Sequence, residues 1–244
     1  MVGIPKVACT QFHQLFLRMQ GSKGWNSKVL GKVHFHKDKH KYTLSSIHGM
    51  NSSKATVIMN DPTWTRAVFL RDPAERFLSC YLDKIVHRKS YSVKIFQSDD
   101  VISFERFVDL CSPDAEEKYG KQRPGAQLGL SHRTNGHWRP QSYFGLDKFL
   151  PYFDFIGDFR HIEEHSRVLL EKLGLWDEYG ASGWGPKGSY SFFQRSTVKG
   201  HATGSRDAKS LYYTQHMLQR VQEAYAVDYE MLERLGMLDP GEDT

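Results

Sequence analysis

Only Met1 to Ile4 precede Pro5, and the run Ile4-Pro5-Lys6-Val7-Ala8-Cys9-Thr10 leads directly into Gln11 to Met19. Phe12, Leu15, Phe16 and Met19 recur at i, i+3, i+4 and i+7, the spacing of one apolar helix face, so a helix is predicted from near Thr10. The start of the chain therefore reads as a strand end, a tight loop and a helix. At such a junction the first helical amides lack intrahelical acceptors and the helix dipole is positive, which makes an anion the natural occupant. Lys6 and Thr10 add a cation and a hydroxyl at the same spot. The dipole contributes only about 0.3–1 kcal/mol, so a firmly held phosphate needs the side chains and several N–H groups together. A surface loop with a helix cap fits the same residues, and the G-x-x-x-x-G-K-[ST] loop of nucleotide triphosphatases is absent.

The same order returns further on. Ala67-Val68-Phe69-Leu70 is a short apolar run, Arg71-Asp72-Pro73 a turn, and Ala74 to Arg88 a predicted helix with Phe77, Leu78, Tyr81, Leu82 and Ile85 on its buried side. Pro73 suits a first helical turn. An arginine at the end of a buried strand is costly to desolvate unless an anion meets it, and its planar fork matches a phosphate. Ser79, eight residues on, lies in the second turn and can present its hydroxyl to the same place. The alternative is that Arg71 pairs with Asp72 or Glu75 and stabilises the turn.

Composition bounds the remainder. The 244 residues, 39% hydrophobic and 25% charged, suffice for one full core, so a single domain over 1–244 is expected. Lys and Arg exceed Asp and Glu by 33 to 28, which favours anionic ligands without choosing among nucleotides, acidic glycans and nucleic acid. Aromatics do not interleave with Lys and Arg as stacking platforms require, so nucleic acid is not an expected partner. Three cysteines, Cys9, Cys80 and Cys111, are too odd and sparse a set for a disulfide framework, and none begins the Cys-x5-Arg motif of a cysteine phosphatase. No run of 18 apolar residues and no signal-peptide core occurs in this sequence.

Residues 22–41 are rich in Lys, with His34, His36 and His40; a solvated basic loop near an anionic acceptor fits better than a metal site, since no Cys or carboxylate cluster accompanies the histidines. Asn51-Ser52-Ser53 is a glycosylation sequon. A helix is predicted over 101–111, a long loop over 112–135, a strand over 153–157, and a helix over 161–173 stopped by Gly174. A loop is expected over 180–204 and one long helix over 209–235. Within the loop, Lys199-Gly200-His201-Ala202-Thr203-Gly204-Ser205 is basic and Gly-rich. It suits either closure over phosphates through Lys199, Thr203 and Ser205, or a flexible linker.

PKVACT at 5–10 resembles the 5′-phosphosulfate loop of Golgi carbohydrate sulfotransferases, especially the chondroitin-type branch. FLRDPAERFLSCYLDK at 69–84 resembles their 3′-phosphate segment, His137-Trp138-Arg139-Pro140-Gln141 a motif of algal-type members, and Phe153 to Gly157 their Y-D-F-I-G segment. Chondroitin-type enzymes place cysteines just beyond HWRPQ, where this chain has Phe144-Gly145-Leu146.

The resemblance implies an α/β fold with a central parallel sheet flanked by helices, a P-loop-like nucleotide-binding sulfotransferase fold. It implies 3′-phosphoadenosine 5′-phosphosulfate as sulfate donor and a glycan hydroxyl as acceptor. It assigns Lys6, Val7, Ala8, Cys9 and Thr10 to the 5′-phosphosulfate, Arg71 and Ser79 to the 3′-phosphate, and requires no metal. It makes Lys6 catalytic, and by position it suggests His48 as general base, with His137 as rival. It also implies the Golgi lumen and a membrane anchor, which leaves the start open between a soluble form and a chain whose upstream part lies outside this sequence. The alternative function is a non-catalytic nucleotide- or anionic-glycan-binding protein on the same fold.

Overall fold

In a computed structural model of the chain, residues 1–26, 51–120, 127–130, 135–194 and 204–238 are described. They form an α/β architecture with many helices and a small parallel sheet. The chain divides into two compact units, each made of two stretches: Met1–Phe69 with Leu150–Ala202, and Leu70–Phe149 with Thr203–Thr244.

Strand β1 (Ala67–Leu70), of which all but Leu70 belongs to the first unit, pairs with β2 (Phe155–Asp158), and Val2 makes a parallel bridge to Val68, its amide donating to Ala67 O at 2.9 Å. All four β1 residues are buried, as an apolar run without alternation requires of a strand covered on both faces. Helix α1 (Cys9–Met19) lays Phe12 against Phe69, with ring centroids 4.8 Å apart, and against Phe192 at 5.5 Å. Its buried residues are Thr10, Phe12, Gln14, Leu15 and Leu17. Phe16 and Met19, predicted for the same face, are only partly covered.

Gly157 in β2 is fixed by packing: a Cβ there would lie 2.2 Å from the Phe69 ring. Asp154 accepts from Arg66 through both carboxylate oxygens, at 2.8 and 3.0 Å, just before β2. Helix α2 (Ser52–Asn60), not foreseen, is capped by Asn51, whose side chain accepts from Lys54 N. Helix α8 (Ile162–Lys172) ends before Gly174, at φ 66°. The expected loop after 180 is partly organised: Trp184 and Tyr190 bridge, and Arg18 of α1 donates to Tyr179 O and Ser182 O at 2.9 and 2.7 Å.

In the second unit every residue of α3 (Pro73–Cys80) is buried, and Asp72 caps it by accepting from Glu75 N at 2.7 Å. The helix predicted to Arg88 instead changes pitch, continuing as a π-helical turn over Tyr81–Val86. Around it lie α4 (Lys89–Phe96), α5 (Phe104–Cys111), α6 (Ala115–Tyr119) and α7 (Leu146–Phe149). Phe77 stacks on Phe107 at 4.6 Å, and Trp138 on Phe96 at 5.5 Å. Helix α6 falls inside the stretch predicted as loop.

The single helix predicted over 209–235 is three: α9 (Ser205–Tyr212), α10 (Gln215–Ala224) and α11 (Ala226–Arg234). Tyr213 turns extended at φ −88°, ψ 127°, and Thr214 caps α10 by accepting from Met217 N. Tyr213 also donates its hydroxyl to Ala74 O at 2.9 Å, and Tyr225 adopts φ −111°, ψ 22° between α10 and α11. The apolar period survives these breaks, which is why periodicity alone does not reveal them.

Candidate functional site

Candidate residues fall in both units. In the first, Val7 N donates to Ile4 O at 3.1 Å, closing a turn with Pro5 second and Lys6 third. A type II turn takes proline at the second position and a left-handed residue at the third, and Lys6 has φ 68°. Ala8 is also left-handed, at φ 51°, ψ 20°, and stands as the N-cap of α1. A non-glycine residue in this region costs about 1–3 kcal/mol and persists only where its surroundings impose it. Two within three positions bend the backbone sharply at the head of the helix. The amides of the first helical turn that follows have no intrahelical acceptors, and these are what an anion at a helix head engages.

The chemistry at that head has one sign. Ala8 supplies no side-chain cap, and the first turn of α1 carries no acidic residue. Lys6 brings a cation, Thr10 a buried hydroxyl and Cys9 a half-buried thiol. Val7 is buried, and its amide closes the turn, so it shapes the loop from the core side. His13, one turn further along α1, has its imidazole pKa pushed down by burial, which favours the neutral ring.

In the second unit, Arg71 follows β1 and is 7% exposed. Its Nη2 donates to Ser205 Oγ at 2.6 Å, and its Nε lies 3.4 Å from Glu75 Oε2. Burial pulls the Arg71 pKa down to about 10 against the opposing charges of Glu75 and Asp72, leaving the guanidinium charged at neutral pH. The turn-stabilising ion pair with Glu75 is thus present, and Ser205, from the Gly-rich run, joins it. Arg206 reaches the same carboxylate, Nε to Glu75 Oε1 at 3.1 Å, while remaining half exposed. Burial pushes the Asp72 carboxyl up, with the charge of Lys209 acting against it. Ser79 is buried on α3, one turn beyond Glu75.

The HWRPQ segment is built into the same unit by side chains that take up its backbone. Arg76, fully buried, donates to Arg139 O at 2.8 Å and Gly136 O at 3.2 Å, and Tyr225 donates to Trp138 O. His137 turns its amide and its ring toward Asn135 Oδ1. Gln141 accepts from Arg71 N at 3.1 Å and donates to Arg71 O at 2.8 Å, standing where a neighbouring strand would. Glu75, Arg206, Gln141 and Asp228 are the members of this cluster that sequence inspection did not assign to the site; Gln141 ends a recognised motif, and Glu75 lies at i+4 from Arg71 on a helix.

His48, Lys199 and Thr203 lie outside the described residues, as do His34, His36 and His40. Among the described residues no group of three or more His, Cys, Asp or Glu is placed to hold a metal. None of the three cysteines is in a disulfide. No helix among the described residues is long and apolar enough to cross a membrane.

A model of the sulfotransferase family matches residues 1–233. Human (Homo sapiens) carbohydrate sulfotransferase 9 is 27% identical over 183 residues, covering 70% of this chain. The chain spans 38% of the length of that relative. No solved structure matches.

Proposed function

As the chain belongs to the sulfotransferase family, we propose that it transfers a sulfuryl group from 3′-phosphoadenosine 5′-phosphosulfate to a hydroxyl of a carbohydrate. The observation that carries this is the strained turn at the head of α1, where Lys6 and Ala8 both hold left-handed backbone without being glycine. Its donor set of amides, a cation and a hydroxyl, with no carboxylate in the first turn, fits a sulfated phosphate.

The donor brings an activated sulfuryl group whose transfer, like that of a phosphoryl group, depends on positioning and charge stabilisation more than on covalent catalysis. The loop at 5–10 is assigned to the 5′-phosphosulfate, with Lys6 neutralising charge that builds on the phosphate as the sulfuryl group departs. Arg71 and Ser79 are assigned to the 3′-phosphate. Ser205 holds the Arg71 fork from one side and Glu75 from the other. Glu75 opposes an incoming phosphate as well as orienting its receptor, so the anion must compete for a guanidinium that is already engaged. His48 is assigned to the acceptor proton. A Golgi-lumenal setting belongs to the proposal, and there Asn51 is an exposed sequon whose Oδ1, not its nitrogen, caps α2.

Incubation with radiolabelled sulfate donor and a panel of glycans, lipids and small alcohols tests the whole. Label in a glycan supports the assignment; label only in lipids or alcohols removes the carbohydrate acceptor. Nucleotide binding with no transfer to any acceptor leaves the non-catalytic alternative.

A further inference from the structure

Arg71 stands one residue past β1, and its peptide groups are paired by a side chain, the Gln141 amide, through two reciprocal hydrogen bonds of 3.1 and 2.8 Å. Gln141 is itself fully buried, so its amide cannot exchange these partners for water. What fixes Gln141 is Asp228 on α11. Its carboxylate accepts from Gln141 N at 2.6 Å and from Ser142 N at 2.8 Å, and Asp228 is 0% exposed. A carboxylate holding two backbone donors in a dry interior is a stiff fixture, because charge-assisted bonds are short and strong there.

The opposite polarity of the same turn is met by a buried cation. Arg76 takes Gly136 O and Arg139 O, and the charges of Arg76 and Asp228 attract across the segment. The turn at 136–142 is therefore held at its carbonyls by Arg76 and Tyr225 and at its amides by Asp228. A packed core of apolar side chains would leave these peptide groups unsatisfied, at about 1–3 kcal/mol each. The arrangement satisfies them, and it also delivers one amide side chain to one arginine.

We infer that Asp228 is a positioning residue for anion recognition: through Gln141 it sets the backbone of Arg71, and so the direction of the guanidinium that reads the 3′-phosphate. The inference rests on the assignment of Arg71 to that phosphate. It explains why a buried acid on the last helix and a glutamine 87 residues before it converge on one strand end. Asp228→Asn keeps the shape but turns an amide N–H₂ against a backbone N–H. Gln141→Glu keeps an acceptor for Arg71 N and sets a carboxylate oxygen against Arg71 O.

The test compares calorimetric affinity for adenosine 3′,5′-bisphosphate and adenosine 5′-monophosphate, with melting temperature and near-ultraviolet circular dichroism as folding checks. The wild-type chain prefers the bisphosphate. Each variant loses about tenfold or more in bisphosphate affinity while the monophosphate affinity stays, so the preference collapses. If either variant folds and keeps the wild-type preference, or loses both affinities in the same proportion, the positioning role is overturned and Asp228 is structural only. Should Asp228→Asn fail to fold, Gln141→Glu, which retains the Asp228 anchor, decides by the same ratio. A wild-type chain with no preference for the bisphosphate removes the assignment of Arg71, and this inference with it.

Discussion

Arg71 Nη2 donates to Ser205 Oγ at 2.6 Å, joining residues 134 positions apart. One comes from the strand-turn-helix at 67–80, the other from the head of α9, and each was a phosphate candidate on its own segment. Their contact gives the guanidinium a neutral partner beside the Glu75 carboxylate, so part of its hydrogen-bonding demand is met without cancelling its charge. A buried cation so arranged stays able to attract an anion at neutral pH.

Arg71→Ala is expected to weaken adenosine 3′,5′-bisphosphate binding more than Ser79→Ala. Arg71 would bring a full charge and a planar fork of donors to the phosphate, whereas Ser79 would bring a single hydroxyl donor without charge. Isothermal titration of both variants checks the order. Unchanged affinity in Arg71→Ala removes that residue from the nucleotide site.

Gly157→Ala is expected to destabilise the chain by about 1–3 kcal/mol, because the new methyl group meets the Phe69 ring inside the sheet. Urea unfolding measures it. A midpoint equal to wild type would contradict the packing of Phe69 over β2.

Asp154 supplies a pH dependence with a definite sign. Hydrogen bonds from Arg66 hold its carboxyl down at about 2, below the value of an unfolded chain. A depressed carboxylate stabilises the fold above the unfolded pKa, and that stabilisation is lost as pH falls through the folded one. The stability difference between wild type and Asp154→Asn should therefore be full above about pH 5, shrink as pH falls, and vanish only below about pH 2. The pair is partly exposed, so added salt should shrink the difference. A difference constant from pH 2 to 7 would show that the charge is not what the pair contributes.

For the general base, His48→Ala should lower the transfer rate at saturating donor by about 10²–10⁴-fold with nucleotide affinity kept. His137→Ala should act mainly on stability, since its amide and ring both turn to Asn135 in a structural turn. His13→Ala is the informative control, because burial favours the neutral form of that imidazole near the head of α1. A wild-type rate in His48→Ala together with a collapse in His13→Ala would move the base to α1.

Much of the fold was legible because its signals are local. The bounds of β1 follow from four consecutive apolar residues, and the start of α1 from its apolar spacing. Gly174 marks the end of α8 because only a residue tolerant of left-handed backbone continues the chain there. What periodicity missed depends on caps and tertiary pull: Thr214 starting α10, and Tyr213 drawn out to Ala74 O. Lys6, Thr10, Arg71 and Ser79 are candidates that residue type and spacing alone put forward. Glu75 was legible only as an ion-pair partner, Gln141 only as the end of HWRPQ, and Asp228 not at all. Their contacts join residues 70 and 87 positions apart, which no local pattern encodes.

The strained turn before α1 carries the central claim, and Lys6→Ala tests it most directly. If Lys6 stabilises charge that appears only as the sulfuryl group leaves, its loss reduces kcat for sulfate transfer by a much larger factor than it weakens adenosine 3′,5′-bisphosphate binding. Both are to be measured on the same protein, kcat with labelled donor and a responsive acceptor, affinity by calorimetry. A fall in kcat well beyond the loss of affinity is the predicted result; equal losses in the two would contradict it and reduce Lys6 to a binding residue.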